Sequence, residues 1–284
     1  MTAGVRTLML CADDFGQSPG ISQAIAQLAH AGRLSATACL TNGVHWRSQT
    51  STLRALPQGV QRGLHFNLTE GAPLSPELQR VWPLFPPLPR LILRAHLRQL
   101  PRAAISAEFD AQLSAFSEGA GQVPDYIDGH QHVHHLPGVR DMLLDALGRM
   151  AAPPAVRSTA RPLGTGFDAK RFLIAHTGGV ALQRVLARRR IRHNASLLGV
   201  YDFETVGYRA LMQGWLAVLP AEGGLLFCHP GAADADTDPR ADPIAPARLR
   251  EHAYLASTAF TDDLAAANVQ LGPVWQLSET SRRG

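Results

Sequence analysis

Seven short apolar runs rich in β-forming residues alternate along this chain with stretches of helical periodicity, and that alternation limits the folds open to it more than any other feature. The runs are Thr7–Ala12, Ser35–Leu40, Gln61–Asn67, Tyr126–Asp128, Ala155–Ser158, Gly224–Cys228 and Val269–Val274. Helix-like stretches lie between them at Gly20–Ala31, Ala104–Ser117, Gly138–Met150, Thr205–Ala217 and Pro246–Ala267. Ser18 and Pro19 supply the first of these with an N-cap and an early proline. Strands separated by helical crossovers belong to βα units, not to a sandwich, so the pattern predicts an α/β fold with the strands in a barrel, closed or incomplete.

The 284 residues suffice for one large α/β unit with a substantial core, and the chain is read as a single domain over 1–284. With 45% hydrophobic and 18% charged residues it is neither disordered nor fibrous. A net charge of +4 suits an anionic substrate or an acidic membrane surface. It is too small to imply nucleic-acid binding, and the basic residues carry no aromatic stacking pattern. Cys11, Cys39 and Cys228 are odd in number and far apart, which argues for buried thiols in a reducing compartment and against a disulfide framework. Leu8–Ala12 is too short for a secretion signal and runs directly into Asp13, and no stretch has the length of a membrane-spanning helix. The expected location is the cytoplasm. Homo-oligomerisation is left open.

Two segments break the alternation. Residues 83–101 are proline-rich and carry Arg90, Arg94 and Arg98 among Leu88, Leu91, Ile92, Leu93 and Leu97, while 170–192 ends in Arg188, Arg189 and Arg190. Both are expected as basic, solvated insertions, and either gives peripheral contact with an anionic or lipid-linked ligand a place to occur.

The chemistry gathers at strand ends. Asp13 and Asp14 close the first strand, at the end of a barrel where catalytic groups collect. One can ligate a metal and the other act as a base, although an Asp pair also serves as a turn or helix cap. His65 ends a second apolar run, and a lone His there would be a core or rim residue. Its weight comes from the segment Asp128-Gly129-His130-Gln131-His132-Val133-His134-His135, with four His in six positions after another strand. Imidazole is the commonest neutral metal ligand, but one ion cannot take all four, so some must orient ligands or the loop. A further strand ends in Phe227-Cys228-His229-Pro230-Gly231, which brings titratable groups to four strand ends.

Taken together, Ala12-Asp13-Asp14-Phe15-Gly16, Gly63-Leu64-His65, Asp128-Gly129-His130-Gln131-His132-Val133-His134, Val156-Arg157 and Cys228-His229-Pro230 resemble the YdjC-like carbohydrate deacetylases. That family includes chito-oligosaccharide deacetylases and deacetylases of hopanoid biosynthesis. The resemblance implies a deformed (β/α) barrel related to the polysaccharide-deacetylase barrel and a metal-dependent removal of N-acetyl groups from an amino sugar. By position it makes Asp14, His65 and His130 the metal ligands, Asp13 the general base and His229 the general acid. Arg157 would orient Asp13 or touch substrate, and His132 and His134 would position the loop or touch substrate without binding metal. Three protein ligands leave an open position for water, the nucleophile. Two imidazoles and a carboxylate favour zinc, whereas the family is associated with magnesium, so both are carried. The substrate would be a soluble acetylated oligosaccharide first and a lipid-linked amino sugar second.

Two other classes compete. A metal-dependent phosphoesterase or other amidohydrolase could use the same barrel, but a phosphoesterase commonly holds two metals and needs more carboxylates than can be placed. A non-catalytic sugar-binding protein would keep the ligands, yet it has no need of Asp13 and His229 beside them.

Overall fold

The computed structural model describes residues 4–232 and 242–277. The strands are β1 Arg6–Phe15, β2 Ala36–Cys39, β3 Gln61–Phe66, β4 Tyr126–Gly129, β5 Ala155–Val156, β6 Leu197–Leu198, β7 Gly224–Cys228 and β8 Val269–Leu271. They pair in parallel in the order β5-β4-β3-β2-β1-β7-β6, with β8 alongside β1. Between them run α1 Pro19–His30, α2 Trp46–Arg54, α3 Pro76–Gln79, α4 Leu88–His96, α5 Arg102–Ala120, α6 Val139–Leu147, α7 Asp168–Ile174, α8 Val180–Arg189, α9 Tyr208–Val218, α10 Ala245–Ala256 and α11 Thr258–Ala266. This is the α/β architecture expected, as a curled parallel sheet. Its outer strands are joined through isolated bridges, Val156 to His193, His193 to Gln276 and Pro162 to Leu197, which deforms the barrel on that side.

All seven expected strands are present, and β6 is an eighth. With two residues between polar Ser196 and Gly199, it is too short to show periodicity. Residues 246–267 form two helices instead of one, because Ser257 takes an extended backbone (ψ 162°) between α10 and α11. The basic segments are docked, not simply solvated. In α4, Leu91 and Ala95 are buried, and Arg94 lies over the Trp82 ring with its guanidinium carbon 5.7 Å from the centroid. In α8, Leu182 and Leu186 are buried. An apolar face is what holds each insertion to the body. All three cysteines are buried and free, and no described helix is long and apolar enough to cross a membrane.

The period of two along each strand sorts the core and aims the chemistry. Leu8, Leu10 and Ala12 of β1, Leu64 and Phe66 of β3 and Ile127 of β4 pack outward with the helices. Met9, Cys11, Ala36, Ala38, Tyr126, Leu225 and Phe227 form a separate inner cluster. Continuing the inner positions by two residues reaches Asp13 after Cys11, His65 after Gly63, Asp128 after Tyr126 and His229 after Phe227. The inside of the sheet is thus apolar below and titratable at its carboxyl-terminal end. Gly63 is required in that lower layer, since a Cβ built on it would lie 2.3 Å from the Tyr126 ring. Gly63→Ala is therefore expected to destabilise the fold by about 1–3 kcal/mol through overpacking beneath His65, read as a lowered midpoint in urea denaturation.

Candidate metal centre and catalytic groups

Alternation along β1 would send Asp13 inward and Asp14 outward. It fails at Asp14, whose φ of +72° lies in the left-handed region and which sits in the register shift between Ala12 and Phe15. The irregularity turns both carboxylates to one side, as irregular strand ends next to functional sites do. Gly16, at φ +93°, completes the turn, and the Ser18 side chain caps α1.

Asp14, His65 and His130 meet with one potential ligand atom from each within 4.8 Å of the others, and all three are buried. Asp14 Oδ1 is 3.0 Å from His130 Nδ1 and 3.5 Å from His65 Nε2. Each group is held from behind. His65 Nδ1 lies 2.6 Å from Asp128 Oδ1, which leaves Nε2 facing Asp14. His130 Nε2 is 2.9 Å from Glu70 Oε1. Arg248 Nη2 donates to the other oxygen of Asp14 at 2.8 Å, leaving Oδ1 toward the imidazoles. Carboxylate-backed imidazoles around one anionic oxygen are the donor set of a divalent-cation site, so the residues fit such an ion. Burial disfavours the charged His130 ring, but Asp14 and Glu70 push its pKa up to about 10. Burial likewise works against ionised Asp14, yet Arg248 and His130 hold it well below the usual carboxylate range.

Beside this triad Arg157, wholly buried, grips Asp13 with two hydrogen bonds, Nη1 to Oδ2 at 2.7 Å and Nη2 to Oδ1 at 2.6 Å. The same Nη2 is 2.6 Å from Asp128 Oδ2 and donates to Cys11 Sγ at 3.1 Å. Burial raises the cost of ionising Asp13, but the guanidinium outweighs it and the carboxyl's pKa is lowered. Cys11, Asp13 and Asp128 form a second convergent group of the kind that could hold a metal, and the guanidinium occupies the place between them. The two hydrogen bonds fix the direction of the Asp13 carboxylate.

The four-histidine segment is a tight turn in which Gln131 and His132 have φ of +51° and +62°. Those left-handed residues separate the four rings. His130 joins the triad. His134 Nε2 is 2.8 Å from the Arg157 carbonyl oxygen, and His135 Nδ1 is 2.7 Å from the Thr159 hydroxyl. Burial pushes the His134 pKa down to about 4. The His132 ring meets Phe227 edge-on at 5.3 Å, and its buried Nδ1 has no hydrogen-bond partner among the described residues. His229 follows β7, with its backbone N–H donating to the buried Glu251 carboxylate and its Nδ1 likewise unpartnered among the described residues. Burial, only partly offset by Asp14 and Asp13, lowers its pKa to about 4. That direction favours the neutral ring.

The family model for "YdjC-like protein" matches residues 7–266. The chain belongs to the YdjC-like family. Human "Carbohydrate deacetylase" is 34% identical over 174 residues, which cover 59% of this chain and 52% of that protein. The chain thus spans about half the length of the first of its curated relatives. The "Chitooligosaccharide deacetylase" of Klebsiella pneumoniae (strain 342) is 29% identical over 242 residues, 81% of this chain and 83% of that one. Among solved structures, a candidate cellobiose-phosphate cleavage protein from Enterococcus faecalis V583 shares the fold, with a TM-score of 0.69 at 20% identity over 95% of this chain and 98% of that one.

Several residues at the site of this YdjC-like protein escape a reading of motifs. Glu70 is one, a carboxylate that reaches His130 from beyond the His65 run. Arg248 and Glu251 are others, three residues apart on the buried face of α10, one on Asp14 and the other on the His229 backbone. The available signal was their placement on the face of a helix that should be apolar. Asp128 lay inside a quoted motif but had no assigned role. Removing the cation that these carboxylates share should be costly. Arg157→Met leaves Asp13 and Asp128 buried and uncompensated, and a loss of about 3–5 kcal/mol in chemical denaturation at pH 7 is expected. A loss under about 1 kcal/mol would be typical of an exposed ion pair and would contradict the arrangement.

Proposed function

We propose that this chain is a carbohydrate N-deacetylase that hydrolyses the acetamide of an amino sugar, with one divalent cation held by Asp14, His65 and His130. The observation that carries the reading is the pairing of that triad with an Arg-clamped carboxylate and an unpartnered imidazole at the same end of the sheet. Zinc is favoured by the two-imidazole, one-carboxylate donor set, and magnesium is the other candidate. When bound, the cation would polarise the acetamide carbonyl and acidify a water.

The protein's own groups supply the rest. Asp13 is ionised at neutral pH and held in one orientation by Arg157, so it accepts a proton from the attacking water. The C–N bond of the amide breaks, acetate leaves, and the amine nitrogen takes up a proton. His229 is the donor proposed for that step. Its ring rests neutral, so in this reading the proton that Asp13 takes from the attacking water is passed on to His229 and from there to the amine nitrogen, which leaves both groups as they began. Glu251 holds the His229 backbone while Arg248 holds Asp14, so α10 sets the acid against the triad.

A two-metal phosphoesterase is disfavoured because a guanidinium stands among Cys11, Asp13 and Asp128, where a second cation would go. A soluble acetylated oligosaccharide is the first substrate class and a lipid-linked amino sugar the second. The cytoplasmic location is part of the same reading, supported by three free, buried thiols.

Asp13→Ala is expected to lower kcat for acetate release about 10²–10⁴-fold while one metal per chain is retained. Asp14→Ala and His130→Ala are expected to lose metal and activity together, measured by elemental analysis beside the acetate assay. Full turnover in Asp13→Ala would remove the base from this account, and stoichiometric metal in His130→Ala would move the ligand to His132 or His134.

A further inference from the structure

The basic segment at 83–101 takes no part in the chemistry above, yet it leads to a cavity of about 420 Å³ lined in part by Arg98, Leu100, Arg102, Gly138, Arg140 and Asp141. The three arginines arrive from three elements. Arg98 follows α4, Arg102 is the first residue of α5, and Arg140 lies in the first turn of α6. Arg98 is held at φ +59°, in the left-handed position after a helix where glycine is the default. Arg102 and Arg140 sit at helix N-termini, where the field of the helix disfavours a cation. The first turn of α5 has neither a side-chain cap nor an acidic residue. Three local preferences are thus overridden at one place, each in favour of a guanidinium.

The arginines are not there to pair with protein carboxylates. Only Arg140 has an acidic neighbour, Asp141 at 3.3 Å, and that carboxylate also accepts the Gly138 N–H. The Arg98 and Arg102 side chains are exposed and have no hydrogen-bond or ion-pair partner among the described residues. Three arginines and one carboxylate line the cavity, a set with an excess of positive charge and of N–H donors.

We propose that this cavity is a binding site for a phosphate group. A phosphate offers acceptor oxygens in several directions at once, which suits donors arriving from three elements better than a planar carboxylate does. The volume exceeds that of inorganic phosphate alone, and Leu100 and Pro137 supply an apolar wall, so the phosphate is carried on an organic group. Two carriers share this chemistry: a small phosphorylated metabolite and the headgroup of an anionic lipid. Leu93 and Leu97, 59% and 55% exposed on and just after α4, lie five residues and one residue before Arg98 and would meet the acyl region in the second case.

The test uses the full chain at low ionic strength. Binding of glucose 6-phosphate is followed by titration calorimetry, and binding to phosphatidylglycerol and phosphatidylcholine vesicles by co-sedimentation. The double variant R98A/R102A is expected to weaken binding at least about tenfold, with an unchanged thermal midpoint because both side chains are exposed and unpaired. The control R184A/R188A removes equal charge from α8 and is expected to bind as the wild type does. Binding of the sugar phosphate alone identifies a soluble carrier, and selective binding of phosphatidylglycerol vesicles identifies a lipid. Absence of binding to every probe, binding indifferent to R98A/R102A, or equal loss in the control overturns the proposal. Acetate release from a soluble substrate should be unaltered in R98A/R102A, so this site and the hydrolytic reading fail separately.

Discussion

The carboxyl-terminal end of the sheet depends on one buried cation. The Arg157 guanidinium joins Asp13 on β1 to Asp128 on β4, and Asp128 in turn faces the inner nitrogen of His65. The Arg157 carbonyl holds His134, so the same residue anchors the histidine turn that delivers His130. Two carboxylates at this depth would repel each other and resist ionisation. A guanidinium with a planar fork hydrogen-bonds both oxygens of Asp13 and ion-pairs with Asp128. The directions of Asp13 and of the His65 ring and the path of the histidine turn therefore follow from one residue.

A second cation works from the other side. Arg248 on α10 binds the outer oxygen of Asp14, as Arg157 binds Asp13. Adjacent carboxylates on one strand end are thereby kept apart, each assigned to its own arginine, and only one oxygen of Asp14 is left toward the imidazoles. This division gives the neighbouring aspartates different surroundings: Asp13 is clamped on both oxygens, and Asp14 keeps one oxygen toward the imidazoles, as the proposed roles require. The left-handed backbone of Asp14 is the local strain that the division requires.

Much of this was legible in the sequence because it follows from period two. Apolar residues two positions before Asp13, Asp128 and His229 marked inner strand faces, and the titratable residues that end them had to emerge at the same end of the sheet. The resemblance carried by those motifs agrees with the family model, and the α/β barrel with the parallel sheet. Which of the four clustered histidines meets Asp14 was legible from the resemblance, which named His130, but not from periodicity, since it depends on two left-handed residues, Gln131 and His132. Glu70, Arg248 and Glu251 were not legible, because their contacts join segments far apart in sequence. The depressed pKa of His229 is a property of its burial, which a motif cannot display. The docked character of α4 and α8 was hidden by arginines whose count suggested solvent, although the leucines between them are what face the core.

The central claim is that a left-handed turn at the end of β1 brings Asp14 to two imidazoles so as to hold a single divalent cation. Anomalous scattering at the zinc edge from crystals grown with zinc tests it most directly. The account requires one strong peak about 2.0–2.2 Å from Asp14 Oδ1, His65 Nε2 and His130 Nδ1, with Arg157 still among Cys11, Asp13 and Asp128. A peak in that second group, a peak on His132 or His134, or no peak at the triad would contradict it.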